Sequence, residues 1–342
     1  MYETSSLYRH LLLDHTKEEV DIIFEEELRK RNITDYDDFV NNFEKEYNEE
    51  TIIKDVDFVS YFQLDVQNDF SQYLFDNYIS ECKYLDLICN FHCIRNVIEE
   101  ICKNKNTLTN EQLFYISYYV DIIELNLRDN HYITNKGLKN CINLQKLNAY
   151  DSKITTCKPF ENSLIELNVS DSKNIGDNEL KNCVNLQILK ARNNRKITTC
   201  SPFAISLISL DAYTFCGIDD KGLKNCINLQ KLFANSNGKI TTCEPFANSL
   251  IVLGASNSCG IGDKGLKNCI NLQILYATGN SKITTCQPFE NSLIELYANS
   301  WIYHFYSYIN MECGINDKGI QNCTKLKKLY AFNNSNITIK IE

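Results

Sequence analysis

Cysteine is the residue with the most chemistry to offer in this chain, which holds 16 of them in 342 residues. Thiols can pair as disulfides, ligate metals or act as nucleophiles, and spacing separates these uses. Cys141, Cys183, Cys226 and Cys269 follow one another at intervals of 42, 43 and 43, each in the phrase LKNC-hydrophobic-NLQ, and a looser copy, IQNCTKL, carries Cys323. Cys157, Cys200, Cys243 and Cys286 lie 43 apart throughout, each in KITTC-x-PF. Upstream, Cys82, Cys89 and Cys93 are seven and four apart, on one face of a predicted helix, with His92 and Cys102 nearby. Core packing accounts for such a face, whereas structural zinc draws ligands from separate segments, so no metal is expected. His10, His15 and His131 have no recurring acid or nucleophile beside them, and no phosphate-binding loop occurs. The chain therefore reads as a non-enzyme without a cofactor.

Residues recurring at a fixed period must be placed by a repeated element, and self-similarity at about 43 residues means stacked units. Each unit is itself doubled. Ten half-units start at Ile122, Leu144, Leu164, Leu186, Leu207, Leu229, Leu250, Leu272, Leu293 and Leu326. Each follows L-x-x-L-x-A/V/L, whose last two apolar positions predict a short strand buried on one face. Eight residues after each start comes a turn position held by Asn130, Asn194, Asn237, Asn280 and Asn334, or by Ser152, Ser172 and Ser258. An asparagine buried there can bond backbone groups of adjacent coils. Phe215 breaks that column, so its coil must satisfy its backbone otherwise. After the turn the half-units alternate. One runs I-x-D-K-G-L-K-N-C, in which Asp263 is expected to cap a helical turn, with Leu266 and Cys269 inward. The other runs I-T-T-C-x-P-F, in which proline favours an extended or 3₁₀ path and Phe289 plugs the core.

This pattern resembles the leucine-rich repeat family, and C-x-N-L-x-x-L…I-x-D-K-G-L is most similar to its cysteine-containing subclass, often joined to F-box domains. The resemblance covers about residues 118–342. It implies a curved α/β solenoid with a parallel concave sheet and a binding rather than catalytic role. The cysteines then form stacked ladders of small buried hydrophobes. Equivalent ones sit two coils apart, about 9–10 Å at a strand spacing of about 4.8 Å. That exceeds the roughly 7 Å limit for a bridge, so no disulfide is expected within either ladder.

Residues 1–110 hold 24 acidic and 11 basic residues, against 20 and 24 in the remainder. Helical patterns, clearest in KEEVDIIFEEELRKR at 17–31, predict an acidic α-helical domain over 1–112 that caps the array of 113–342. In the subclass resembled, an F-box docks to a ubiquitin-ligase core. The stretch 70–101 has the length and hydrophobicity for one but lacks the Leu-Pro opening and the tryptophan. An acidic arm beside a mildly basic array argues against nucleic acid. The N-terminus has no signal-like apolar core and no uncharged apolar run reaches about 18 residues, so neither secretion nor a membrane span is expected. Many cysteines without a signal point to a reducing, cytoplasmic or nuclear setting.

The framework repeats almost verbatim, but its outward strand positions vary. One column reads Asn126, Asn148, Asn168, Lys190, Asp211, Phe233, Gly254, Tyr276, Tyr297, Tyr330. The next reads Arg128, Tyr150, Ser170, Arg192, Tyr213, Asn235, Ser256, Thr278, Asn299, Phe332. Rigid aromatics favour interfaces. The last repeat carries eleven extra residues near SWIYHFYSYINM, 300–311. Insertions in solenoids map to loops that often bind, making Trp301, Tyr303, Phe305 and Tyr306 candidate anchors. The expected function is a protein–protein interaction scaffold. Its partner would contact Arg192, Tyr213, Phe233, Tyr276, Tyr297, Tyr330 and Phe332 as well as the insertion. The alternative is an F-box-like substrate adaptor of a ubiquitin ligase.

Overall fold

The computed structural model describes residues 102–103, 108–303 and 309–340. The expected N-terminal helices, the F-box-like stretch 70–101 and the Cys82, Cys89, His92, Cys93 group lie outside the described residues, as do Phe305 and Tyr306. The chain divides into two compact units. The first reaches Glu124 and also takes in Lys136–Cys141, and the second comprises Leu125–Asn135 and Ile142–Glu342.

In the first unit, helix α1 (Asn110–Tyr119) opens on a reciprocal cap. Gln112 N donates to Thr109 Oγ1, and Thr109 N donates to Gln112 Oε1, so two otherwise orphaned N–H groups are satisfied.

The second unit is the expected α/β solenoid. Its three-residue strands are β1 (Glu124–Asn126), β2 (Lys146–Asn148), β3 (Glu166–Asn168), β4 (Ile188–Lys190), β5 (Ser209–Asp211), β6 (Lys231–Phe233), β7 (Val252–Gly254), β8 (Ile274–Tyr276) and β9 (Glu295–Tyr297). After a hairpin of β10 (Trp301–Tyr303) and β11 (Ile309–Met311), β12 (Lys328–Tyr330) completes the set. The sheet runs β1-β2-β3-β4-β5-β6-β7-β8-β9-β12, one strand for each of the ten half-units. Leu147, Leu167, Leu189, Leu210, Leu232, Leu253, Leu275, Leu296 and Leu329 stand in register. Parallel strands can stack at about 4.8 Å. The helical turns opposite need more room, which makes the sheet side the inner one.

Opposite the sheet the half-units alternate as their sequences demand. Each Pro-Phe half-unit makes a 3₁₀ turn with proline at its start, at Lys158–Phe160, Ser201–Phe203, Glu244–Phe246 and Gln287–Phe289. Phe160, Phe203, Phe246 and Phe289 are the largest fully buried side chains of the described core. Three Lys-Gly or equivalent half-units make short helices, α2 (Asp177–Leu180), α3 (Asp263–Leu266) and α4 (Asp317–Ile320). Leu266 and Cys269 face inward as expected.

The expected capping role of Asp263 is not what the structure shows. Gly262 is the N-cap of α3 and no side chain caps it. The Asp263 carboxylate instead crosses to the next coil, where Oδ1 accepts from Thr284 N at 2.8 Å and Oδ2 from Thr284 Oγ1 at 2.6 Å. The same clamp joins Asp177 to Thr198, Asp220 to Thr241 and Asp317 to Thr338. Bonding a neighbour's N–H serves an otherwise unpaired group of an irregular segment, which a local cap would leave open.

The asparagine column forms as predicted. Asn237 Nδ2 donates to the carbonyls of Ala212 and Ile218 in the preceding coil, and its Oδ1 accepts from Lys239 N. Asn194, Asn280 and Asn334 repeat the arrangement. Ser172 accepts from Asn174 N and Ile175 N, whereas the buried Ser152 hydroxyl has no partner. Ser258 does not join the column: it is exposed, and Cys259 is buried in its place. Cys216 does the same after the exposed Phe215, and burial pushes its thiol up to about 11, partly offset by the backbone N–H groups of Ile218 and Gly217. Cys216, Cys259 and Cys313 thus form a third column of buried cysteines at the turn.

Candidate functional site

Every strand shows the same face outward, so the register decides which variable residues meet. It aligns Asn148, Asn168, Lys190, Asp211, Phe233, Gly254, Tyr276, Tyr297 and Tyr330 in one row. The two ends of that row satisfy themselves differently.

From β1 to β5 the side chains spend their hydrogen bonds on their own coil or the adjoining one. Asn126, Asn148, Asn168 and Asp211 each accept from the N–H two residues on. Asn168 Nδ2 also donates to Asn148 Oδ1 at 3.0 Å, and Lys190 pairs with Glu166 at 2.9 Å. In the next column Arg128 lies over the Tyr150 ring at 4.8 Å and Arg192 over the Tyr213 ring at 4.9 Å. Arg192 and Tyr213 are therefore one stacked pair. Burial pushes the Asp211 carboxyl up, partly offset by the Tyr213 N–H and by Arg192 and Lys190.

From β6 onward the row is aromatic. Tyr276 stacks on Tyr297 at 4.5 Å and 21°, and Tyr297 on Tyr330 at 4.5 Å and 11°. Strand spacing sets that distance, since in-register rings on adjacent strands meet face to face. Gly254 leaves a gap into which Phe233 leans, reaching 6.4 Å from the Tyr276 ring at a tilt of 43°. Burial and the neighbouring Tyr276 and Tyr330 raise the Tyr297 phenol, whose hydroxyl donates to Glu295 Oε2 at 3.4 Å. Lys328 holds the other Glu295 oxygen at 2.7 Å. Tyr330 is 46% and Phe332 75% exposed at the last strand.

The insertion leaves the sheet just after β9. Where a loop was expected, β10 and β11 pair antiparallel, with Trp301 opposite Met311 and Tyr303 opposite Ile309. Ser300 Oγ accepts from Cys313 N at 3.1 Å and closes the base of this hairpin. Met311 packs beside the turn at Gly279, whose φ is +65°. The equivalent turns hold Asp129, Asp151, Asp171, Asn193, Thr214, Ser236, Asn257 and Asn333, all with positive φ. A Cβ at Gly279 would come within 3.0 Å of Met311 Cβ, so it is the hairpin, and not the backbone angle that its non-glycine equivalents share, that calls for glycine there.

Two features escaped sequence reasoning. The outward column before the aligned row includes Val252 and Ile274, which meet in register beside Tyr276. On the opposite surface Ile142, Val184, Ile227 and Ile270, the variable position of LKNC-hydrophobic-NLQ, are 52–61% exposed. Their recurrence at the repeat period was the available signal. Among the described residues no group of three or more His, Cys, Asp or Glu could hold a metal, and no helix is long and apolar enough to cross a membrane.

No family model matches this chain, and no curated protein matches it. Among solved structures it resembles an internalin (inlF) of Listeria monocytogenes at 24% identity and a TM-score of 0.45, over 66% of this chain and 69% of that one. It resembles an internalin C2 (inlC2) of the same organism at 22% identity and a TM-score of 0.30, over 68% and 77%. TLR13, in a complex with ssRNA13, is similar at 18% identity and a TM-score of 0.43, over 67% of this chain and 39% of that one. At these identities the likeness is one of fold alone. The ten in-register strands of this chain carry the solenoid by themselves.

Proposed function

We propose that this chain is a non-enzymatic scaffold that holds a protein partner against the sheet face of its array, toward the C-terminal half. The support is the stack of Tyr276, Tyr297 and Tyr330, extended by Phe233 at one end and the exposed Phe332 at the other. Stacked rings are already ordered, so a partner gains their contact area with little side-chain entropy to lose. The polar half offers less, because its hydrogen bonds are already made within the chain. The hairpin of β10 and β11 starts four residues after the end of β9, so the insertion leaves the sheet at its aromatic end. The adaptor alternative, with a ubiquitin-ligase core docked to residues 1–112, gains no support from any described residue.

The test is capture of partners from the source cell by the full chain and by a Tyr276→Ala, Tyr297→Ala, Tyr330→Ala variant. Loss of an aromatic anchor typically costs about 2 kcal/mol, so recovery is expected to fall at least about thirtyfold. A matched Asn126→Ala, Asn148→Ala, Asn168→Ala variant should capture as the wild type does. Equal recovery by both variants would end the proposal.

A further inference from the structure

The two main cysteine ladders meet each other. Cys157 and Cys183, Cys200 and Cys226, Cys243 and Cys269, and Cys286 and Cys323 lie close enough across adjacent coils for each thiol to shift its partner's titration. The backbone brings them together. Cys200 N donates to Gly222 O, Cys243 N to Gly265 O and Cys286 N to Gly319 O, at 2.8–3.0 Å, and each of these glycines stands four residues before the second cysteine of its pair. A Cβ on any of the three would collide with the carbonyl oxygen of Thr198, Thr241 or Thr284, so glycine is what lets the coils approach this closely. Thr285 and Gln287, the two chain neighbours of Cys286, line one cavity with Cys323.

Three of the four pairs are sealed, with both thiols buried. The fourth is open on one side. Cys323 is only half-buried, and it lines a cavity of about 420 Å³ together with Thr285, Glu290, Lys318 and Asn322. We propose that Cys286 and Cys323 form a peroxide-reactive dithiol, with Cys323 the attacking sulfur and a disulfide between adjacent coils the product.

The chemistry balances with a hydroperoxide as oxidant. The Cys323 thiolate attacks one peroxide oxygen, the O–O bond breaks, and the departing alkoxide or hydroxide takes up a proton. The Cys286 sulfur then attacks the sulfur of the resulting sulfenic acid. The S–O bond breaks, and hydroxide leaves with the Cys286 proton as water. Two thiols and one peroxide become a disulfide, water and an alcohol or second water. A low-molecular-weight thiol reverses the change by exchange. The adjoining Cys286 thiol holds the Cys323 thiol below its usual range, against burial and Glu290. The bridge runs between ladders and leaves each ladder unbridged.

The three sealed pairs are internal controls. The reduced full chain would be exposed to equimolar hydrogen peroxide, blocked with N-ethylmaleimide, digested and mapped by mass spectrometry without reduction. A peptide linking Cys286 to Cys323 is expected to form about tenfold faster than any link from the sealed pairs, because access governs thiolate reactivity. Dithiothreitol should remove it. Cys323→Ser, a change at a half-exposed atom, should abolish the link while thermal unfolding stays near wild type. Cys286→Ser should leave a sulfenic acid at Cys323 that dimedone traps. The proposal is overturned if Cys323 is still fully alkylated after peroxide treatment, or if the sealed pairs oxidise as fast.

Discussion

The two halves of the sheet face share one backbone and differ in where their side chains find partners. From β1 to β5, asparagines and an aspartate bond the N–H two residues on, and arginines cover tyrosines. From β6 to β12, rings stack on rings, and the last two aromatics stand open to solvent. The strands beneath are all three residues long, centred on a leucine and in one parallel order. A solenoid separates the task of standing up from the task of binding, because each coil's stability comes from the buried ladder and not from its outward residue.

That separation can be broken at the core first. Phe160 plugs the polar half and Phe289 the aromatic half, each fully buried in the same 3₁₀ turn. Replacing either with alanine should cost about 3–5 kcal/mol in denaturant unfolding. Costs differing by more than about 1 kcal/mol would show that the scaffold is not common to both halves.

A smaller effect is expected at Gly254, the one residue of the aligned row without a side chain. An added Cβ would lie 2.9 Å from Phe233 Cδ1 and 3.1 Å from both Asn235 amide atoms. Gly254→Ala should displace Phe233 from the column and destabilise by about 1 kcal/mol, with a change in near-ultraviolet circular dichroism. An unaltered spectrum and melting midpoint would mean that Phe233 turns away freely and that the row is not packed.

The smallest effect belongs to the polar half. Burial raises the Asp211 carboxyl, so ionising it costs stability. The cost is absent below the unfolded value of about 3.9, grows as pH climbs through the raised folded value, and is complete above it. Asp211→Asn should therefore be more stable than wild type near neutral pH, and the gap should close at about pH 3. A gap that widens on acidification would reverse the assignment and make the carboxylate a stabilising partner of Arg192 and Lys190.

The legible part of the fold is the part written by period. Ten strands, the asparagine column, the Pro-Phe turns and the buried cysteines all follow from residues that recur at fixed spacing, because a recurring side chain must meet the same surroundings in every coil. Cys216 and Cys259, 43 residues apart, were legible by the same rule, yet the offset from Phe215 and Ser258 hid them. Asp263 misled because a carboxylate at a helix start usually caps that helix. Its true partner, Thr284, stands 21 residues on and becomes a neighbour only when the coils stack.

What sequence alone determined was the solenoid, its alternating half-units and the identity of the outward rows, since burial of a leucine ladder admits no other register. Tertiary structure alone decided the rest. It made stacked pairs of Tyr276, Tyr297 and Tyr330, turned the insertion into a hairpin beside Gly279, and joined the two cysteine ladders into thiol pairs of which one, Cys286 with Cys323, is open. Periodicity fixes what each coil contains. Which side chains of different coils touch depends on how closely the coils stack and at what offset, and those are properties of the packed array.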